Sequence, residues 1–166
     1  MCLQNGFVTD EMDLNEAMHR LDSYIESLPE LFCKFSSEEL LGRPEPAKWS
    51  RQEILGHLID SAINNLKRFT EVQFLPQPYM VVSYQQENLV SINNYRRLPL
   101  EHLLNLWQAL NQQIVFVVKN MPSEKLNNPV NPQYDNSEMK TLEWIIKDYV
   151  AHMEHHFKQI FKEQIN

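Results

Sequence analysis

Ser50-Arg51-Gln52-Glu53-Ile54-Leu55-Gly56-His57-Leu58-Ile59-Asp60 is the stretch whose reading decides the fold. Ser50 with Glu53 three residues later has the pattern of a capping box. The serine hydroxyl covers an orphan amide and the glutamate reaches back to the cap. After that start, Ile54, Leu55, Leu58, Ala62, Leu66 and Phe69 recur at the spacing of one helical face. A helix with one apolar stripe needs partners that carry stripes of their own.

Three further segments supply them. The first runs from about Asp13 to Phe35 with Ala17, Met18, Leu21, Tyr24, Ile25 and Leu28 on one face, and Pro29 is expected to kink or break it. The third helix begins near Pro99 and carries Leu103, Leu104, Trp107, Leu110, Ile114 and Val118 to about Asn120. The fourth, from about Thr141 to Gln164, carries Leu142, Ile145, Ile146, Tyr149, Met153, Phe157 and Ile160. The link over residues 73–98 is far longer than antiparallel neighbours need. It predicts a crossover that returns the third helix parallel to the second. Residues 121–140, rich in Asn and Pro, make a second long connection of the kind that walls a binding pocket. The class is therefore all-α, a four-helix bundle with a long crossover between its second and third helices.

Composition sets outer bounds. A chain of 166 residues with 43% hydrophobic and 22% charged residues is expected to form one domain over residues 1–166 with a sizeable core. Only three glycines, Gly6, Gly42 and Gly56, argue against tight hairpins and phosphate-cradling loops. The longest apolar run, Ile114 to Val118, is too short to span a bilayer, and the polar, acidic start is not expected to act as a signal peptide. Cys2 and Cys33 have no metal or redox spacing, so a reducing cytoplasmic setting is expected. A net charge of −7 without a basic stripe disfavours nucleic acid as a partner and leaves a small-molecule substrate.

The histidines carry the chemistry. His152 and His156 stand four apart on the last helix, about 40° apart on its wheel, where two imidazoles can share one ion. His156 falls inside the apolar face and His152 at its edge, whereas His155 points away, roughly 100° from His156. The spacing of His152 and His155 also permits chelation and stays open as an alternative. His57 borders the stripe of the second helix. With it the count reaches three imidazoles and an open fourth position, the arrangement of a catalytic zinc-type site. The competing reading is three hydrogen-bonded imidazoles, since the sequence does not make His57 face His156. Ser61, Asn64 and Arg68 lie within about 40° of His57, a strip that is either a solvated edge or a polar pocket wall. His19 and His102 sit off their apolar faces, and Trp49, Trp107 and Trp144 read as core anchors. His152-Met153-Glu154-His155-His156 is not H-E-x-x-H, so metalloprotease chemistry has no support.

Local words add a resemblance. Lys48-Trp49-Ser50 leads into Gly56-His57-Leu58-Ile59-Asp60, and some ninety residues later comes Ala151-His152-Met153-Glu154-His155-His156-Phe157-Lys158-Gln159-Ile160. In this order and spacing they resemble the DinB-like superfamily, especially its YfiT-type members, from about residue 14 to the end. The resemblance implies up-down-down-up topology and a divalent metal, zinc or nickel, on one histidine of helix two and two of helix four. By position these are His57, His152 and His156. Such members include metal-dependent hydrolases and S-transferases that use bacillithiol or related small thiols, and a homodimer is expected. Where YfiT-like members often carry a tryptophan in the crossover, this chain has Tyr84-Gln85-Gln86-Glu87-Asn88-Leu89.

Two enzyme mechanisms follow, with a non-catalytic metal-binding module as a third reading. In the leading one the metal holds a small thiol as thiolate, Asn64 and Arg68 grip its carboxylates, and the thiolate attacks an electrophilic small molecule. In the other the metal activates water for hydrolysis, with Asp60 as base or as the group that orients a ligand imidazole. The homodimer is further motivated by the Phe and Met content of the first helix, which looks greater than one bundle needs.

Overall fold

Helices dominate the chain in a computed structural model that describes residues 12–132 and 138–161. Helix α1, Leu14–Phe32, is capped by Asp13, whose carboxylate accepts from the Glu16 amide at 2.8 Å. The first helix was expected to reach Phe35, but it stops at Phe32. A five-residue helix α2, Ser37–Leu41, follows with its own capping box from Ser36 and Glu39. Pro29 neither breaks nor ends α1. A proline cannot donate to the carbonyl four residues back, here that of Ile25, and Gln108 of the third long helix donates its Nε2 to that oxygen at 2.7 Å.

Helix α3, Arg51–Glu71, opens on the anticipated box: Ser50 Oγ accepts from the Glu53 amide at 3.2 Å, and Glu53 Oε2 accepts from the Ser50 amide at 2.8 Å. Arg43 pairs with the same carboxylate. Burial alone would raise the Glu53 pKa, but Arg43 and the Ser50 amide together pull it below its usual range. A short helix α4, Gln86–Asn93, lies within the crossover, and α5, Leu100–Lys119, and α6, Leu142–Ile160, complete the set. Helix α6 ends at Ile160, and Gln164, its anticipated end, lies outside the described residues.

Cross-helix contacts give the directions. Gln52 at the start of α3 donates to the carbonyls of Tyr95 and Leu98 just before α5, at 2.8 and 2.9 Å, so α3 and α5 run parallel. Arg51 donates to the Ile160 carbonyl at 2.9 Å, which sets the start of α3 against the end of α6. Asp22 pairs with Lys119 at 2.7 Å while Ile25 meets Gln108, so α1 and α5 are antiparallel. Tyr24 donates to Glu154 at 2.7 Å and Phe32 lies 5.8 Å from Phe161, so α1 and α6 are parallel. The bundle is up-down-down-up, with the crossover between α3 and α5.

A small sheet accompanies the helices of this all-α fold. Strands β1, Tyr79–Met80, β2, Pro129–Asn131, and β3, Lys140–Thr141, pair in that order, β1 parallel and β3 antiparallel to β2. It stitches the crossover to the α5–α6 connection, and the Asn128 side chain adds a bond to the Val72 carbonyl at 2.9 Å.

Trp107, Phe32, Phe69, Leu21, Leu28, Leu55 and Leu58 are fully buried at the centre. Trp107 is the core anchor anticipated. Trp49 and Trp144 are only half-buried, because Trp49 sits on the loop before α3 and Trp144 in the first turn of α6. Among the described residues, no helix is long and apolar enough to cross a membrane.

Candidate metal centre

Antiparallel packing of α3 on α6 brings His57 against His152 and His156. One ring nitrogen from each lies within 4.8 Å of the others, and all three residues are buried. His152 Nε2 stands 3.1 Å from His156 Nε2 and 3.5 Å from His57 Nε2, with ring centroids 4.6 and 5.3 Å apart. The open question of whether His57 faces His156 is thus answered: their rings lie 4.7 Å apart.

Charge decides what this arrangement can do. Burial, then the neighbouring His156, depresses the His57 pKa to about 3. Burial depresses His156 to about 4 against the bond to Gln159, and His152 lies well below its ordinary value, first through burial and then through His156, His57 and His155. All three are neutral at pH 7. A neutral imidazole has one N–H and one lone pair, and His57 Nδ1 has no hydrogen-bond partner among the described residues. Three converging neutral nitrogens, closed to protons, fit a divalent cation of the transition series. They do not fit a self-sufficient hydrogen-bonded core.

The surroundings orient the three imidazoles. His156 Nδ1 lies 3.0 Å from Gln159 Oε1, and Gln159 Nε2 lies 2.9 Å from Nε2 of the exposed His155. Trp49 lies against His57 at 5.1 Å between ring centroids and forms a wall of the site. Both stand in the stretches that carry the resemblance, but neither was read as part of the site, Trp49 being expected as a core anchor. Gln159, three residues beyond His156 on one helix face, could have been found by its spacing, whereas Trp49 is placed by tertiary packing.

Asp60 lies on the seam between α3 and the crossover. Its Oδ1 accepts from Tyr95 Oη at 2.6 Å and Asn93 Nδ2 at 3.1 Å, while the buried Oδ2 has no partner among the described residues. Burial raises its pKa, and the two donors oppose that rise. Gly56 makes the seam possible, since a Cβ there would lie 2.1 Å from the Tyr95 ring. Asn64 donates to the Asp60 carbonyl of its own helix at 2.8 Å. The Arg68 guanidinium is buried, donates to the Val82 carbonyl at 3.0 Å and to Asn65 Oδ1 at 3.3 Å, and sits 5.6 Å from the Tyr84 ring. The polar strip of α3 therefore braces the crossover, with Tyr84 as part of that brace.

Comparison with known proteins gives the family and the fold. Residues 13–160 match the family model of the DinB superfamily. A protein of Oceanobacillus iheyensis named "Putative metal-dependent hydrolase" is 24% identical over 148 residues, which cover 89% of this chain and 83% of the relative. Among solved structures, YfiT from Bacillus subtilis, described as a probable metal-dependent hydrolase with an unusual four-helix bundle topology, superposes with a TM-score of 0.79. The match is 17% identical and covers 91% of this chain and 87% of that one. A Streptococcus pneumoniae protein superposes with a TM-score of 0.67 at 14% identity, covering 96% of this chain and 97% of that one.

Proposed function

The chain belongs to the DinB superfamily, and from that premise we propose that it is a metal-dependent hydrolase of a small molecule, with His57, His152 and His156 as the metal ligands. The observation that carries this reading is the convergence of three buried, neutral imidazoles from two helices. Three protein ligands leave a position open for substrate or solvent, as catalytic rather than structural sites do. An all-imidazole set suits zinc or nickel. A cation held there supplies Lewis acidity and lowers the pKa of a group at its open position. The chain's own residues do the rest. The histidines fix the cation, Trp49 walls the opening, and Asp60 serves as proton acceptor. Its Oδ2 has no partner among the described residues and burial raises its pKa, both of which suit a proton acceptor.

Thiol transfer is the second reading, favoured by the neutrality of the three ligands. They leave the full dipositive charge to attract an anion, and a thiolate is soft enough to compete with hydroxide. Bacillithiol or a related small thiol would be the cosubstrate, with Asn64 and Arg68 as its contacts. Hydrolysis is preferred because those two side chains already serve α3 and the crossover.

The test is metal analysis of protein purified without a polyhistidine tag, followed by cobalt substitution. One equivalent of metal with ester or amide hydrolysis, and no sulfur-to-cobalt charge-transfer band on adding bacillithiol, glutathione, mycothiol or coenzyme A, is expected. A band without hydrolysis transfers the case to thiol chemistry, and neither signal leaves a metal-binding module.

A further inference from the structure

His156 has two self-consistent ways to place its single proton, and only one of them can receive a metal. With the proton on Nδ1, the Nε2 lone pair faces His152 and the cluster interior. With the proton on Nε2, that N–H donates to His152 Nε2 across the 3.1 Å gap and closes the pair on itself. The choice is made outside the cluster. Gln159 Oε1, an acceptor without a proton, lies 3.0 Å from His156 Nδ1 and demands the N–H there. The amide can rotate end for end, which would present its NH2 to Nδ1 and reverse the demand. His155 opposes that rotation while its Nε2 carries the lone pair, since that nitrogen then accepts from Gln159 Nε2 at 2.9 Å.

We propose that Gln159, oriented by the exposed His155, is a positioning residue that holds His156 in its metal-ready tautomer. This rests on the reading of His156 as a ligand. It assigns His155 a role in the centre although it does not join the cluster. The partners of ligand imidazoles commonly set tautomer and ring orientation in this way, and their loss costs about 10–100-fold in metal affinity.

Nitrogen-15 NMR of the histidine rings in metal-free protein, paired with zinc titrations, separates the possibilities. Wild type should show His156 protonated on Nδ1. Gln159→Leu, at an exposed position that tolerates the change, should move the proton to Nε2 and weaken zinc binding by about 10–100-fold. Gln159→Glu keeps an acceptor in place, now charged, and should retain the Nδ1 proton and bind zinc at least as tightly as wild type. His155→Ala, which frees the amide to rotate, should show both tautomers. An unchanged tautomer and affinity in Gln159→Leu would overturn the proposal, as would a loss in Gln159→Glu equal to that in Gln159→Leu. A wild-type protein that binds no zinc would instead remove the metal reading, while the tautomer measurement would still decide the role of Gln159.

Discussion

Burial of His57, His152 and His156 makes their protonation costly, and that cost can be measured in two ways. In the unfolded chain each imidazole titrates near 6.5, whereas in the fold His57 and His156 are depressed to about 3 and about 4, and His152 lies well below 6.5. Below about pH 6.5 the unfolded state therefore binds more protons, so stability rises with pH across this window. Metal-free protein should lose stability progressively as pH falls from 6.5 toward the folded values. Urea midpoints at pH 7.5 and 5 should show the drop, and replacing all three histidines by glutamine should flatten it. The second measurement is stoichiometry. His57→Ala, His152→Ala and His156→Ala should each abolish the bound equivalent, while His155→Ala retains it, as elemental analysis would show. Metal lost from the His155 variant alone would reverse the ligand choice. The pair on α6 was legible because four-residue spacing fixes a shared helix face. The partners of Asp60 were not, because Asn93 and Tyr95 reach it only through the packing of the crossover.

Among elements, the long helices were legible because their apolar stripes repeat over many turns. The capping box at Ser50 also marked its helix start without tertiary information. The two- and three-residue strands carry too few positions to express an alternation, and α2 and α4 are too short to show a stripe. Pro29 is a different case, since α1 runs through it unbroken to Phe32. Its effect on α1 depends on a side chain 79 positions away, which local sequence does not show. That leads to a double-mutant prediction. Gln108→Leu leaves the Ile25 carbonyl without its donor and should cost about 1–3 kcal/mol. In a Pro29→Ala background the helix supplies that N–H itself, so the same change should cost less, with a coupling of at least about 0.5 kcal/mol in urea unfolding. Additive costs would show that the carbonyl gains nothing from Gln108.

At the scale of the whole molecule, a metal held by α3 and α6 ties the second helix of the bundle to the fourth. A ligand that binds only the folded state, at about 100 times its dissociation constant, stabilises by about 2.7 kcal/mol. Zinc in that excess should raise the melting temperature by roughly 5–10 °C, chelation should reverse the shift, and His156→Ala should show none. The homodimer remains a proposal that light scattering at micromolar concentration tests. Its original motive weakens here, because Met12, Met18 and Phe32 are all buried within their own bundle.

The pairing of β1 with β2 joins Tyr79 to Val130 across α4 and α5, and the Val81 amide adds a bond to the Asn131 carbonyl at 2.9 Å. Helical bundles made of near neighbours in sequence fold quickly, whereas such a distant pairing must close a long loop before its bonds form. The β1–β2 pairing is thus a latch of few bonds between the crossover and the loop before α6. In the native protein the same latch should open first, so deuterium should enter the Val81 amide long before it reaches the core of α3.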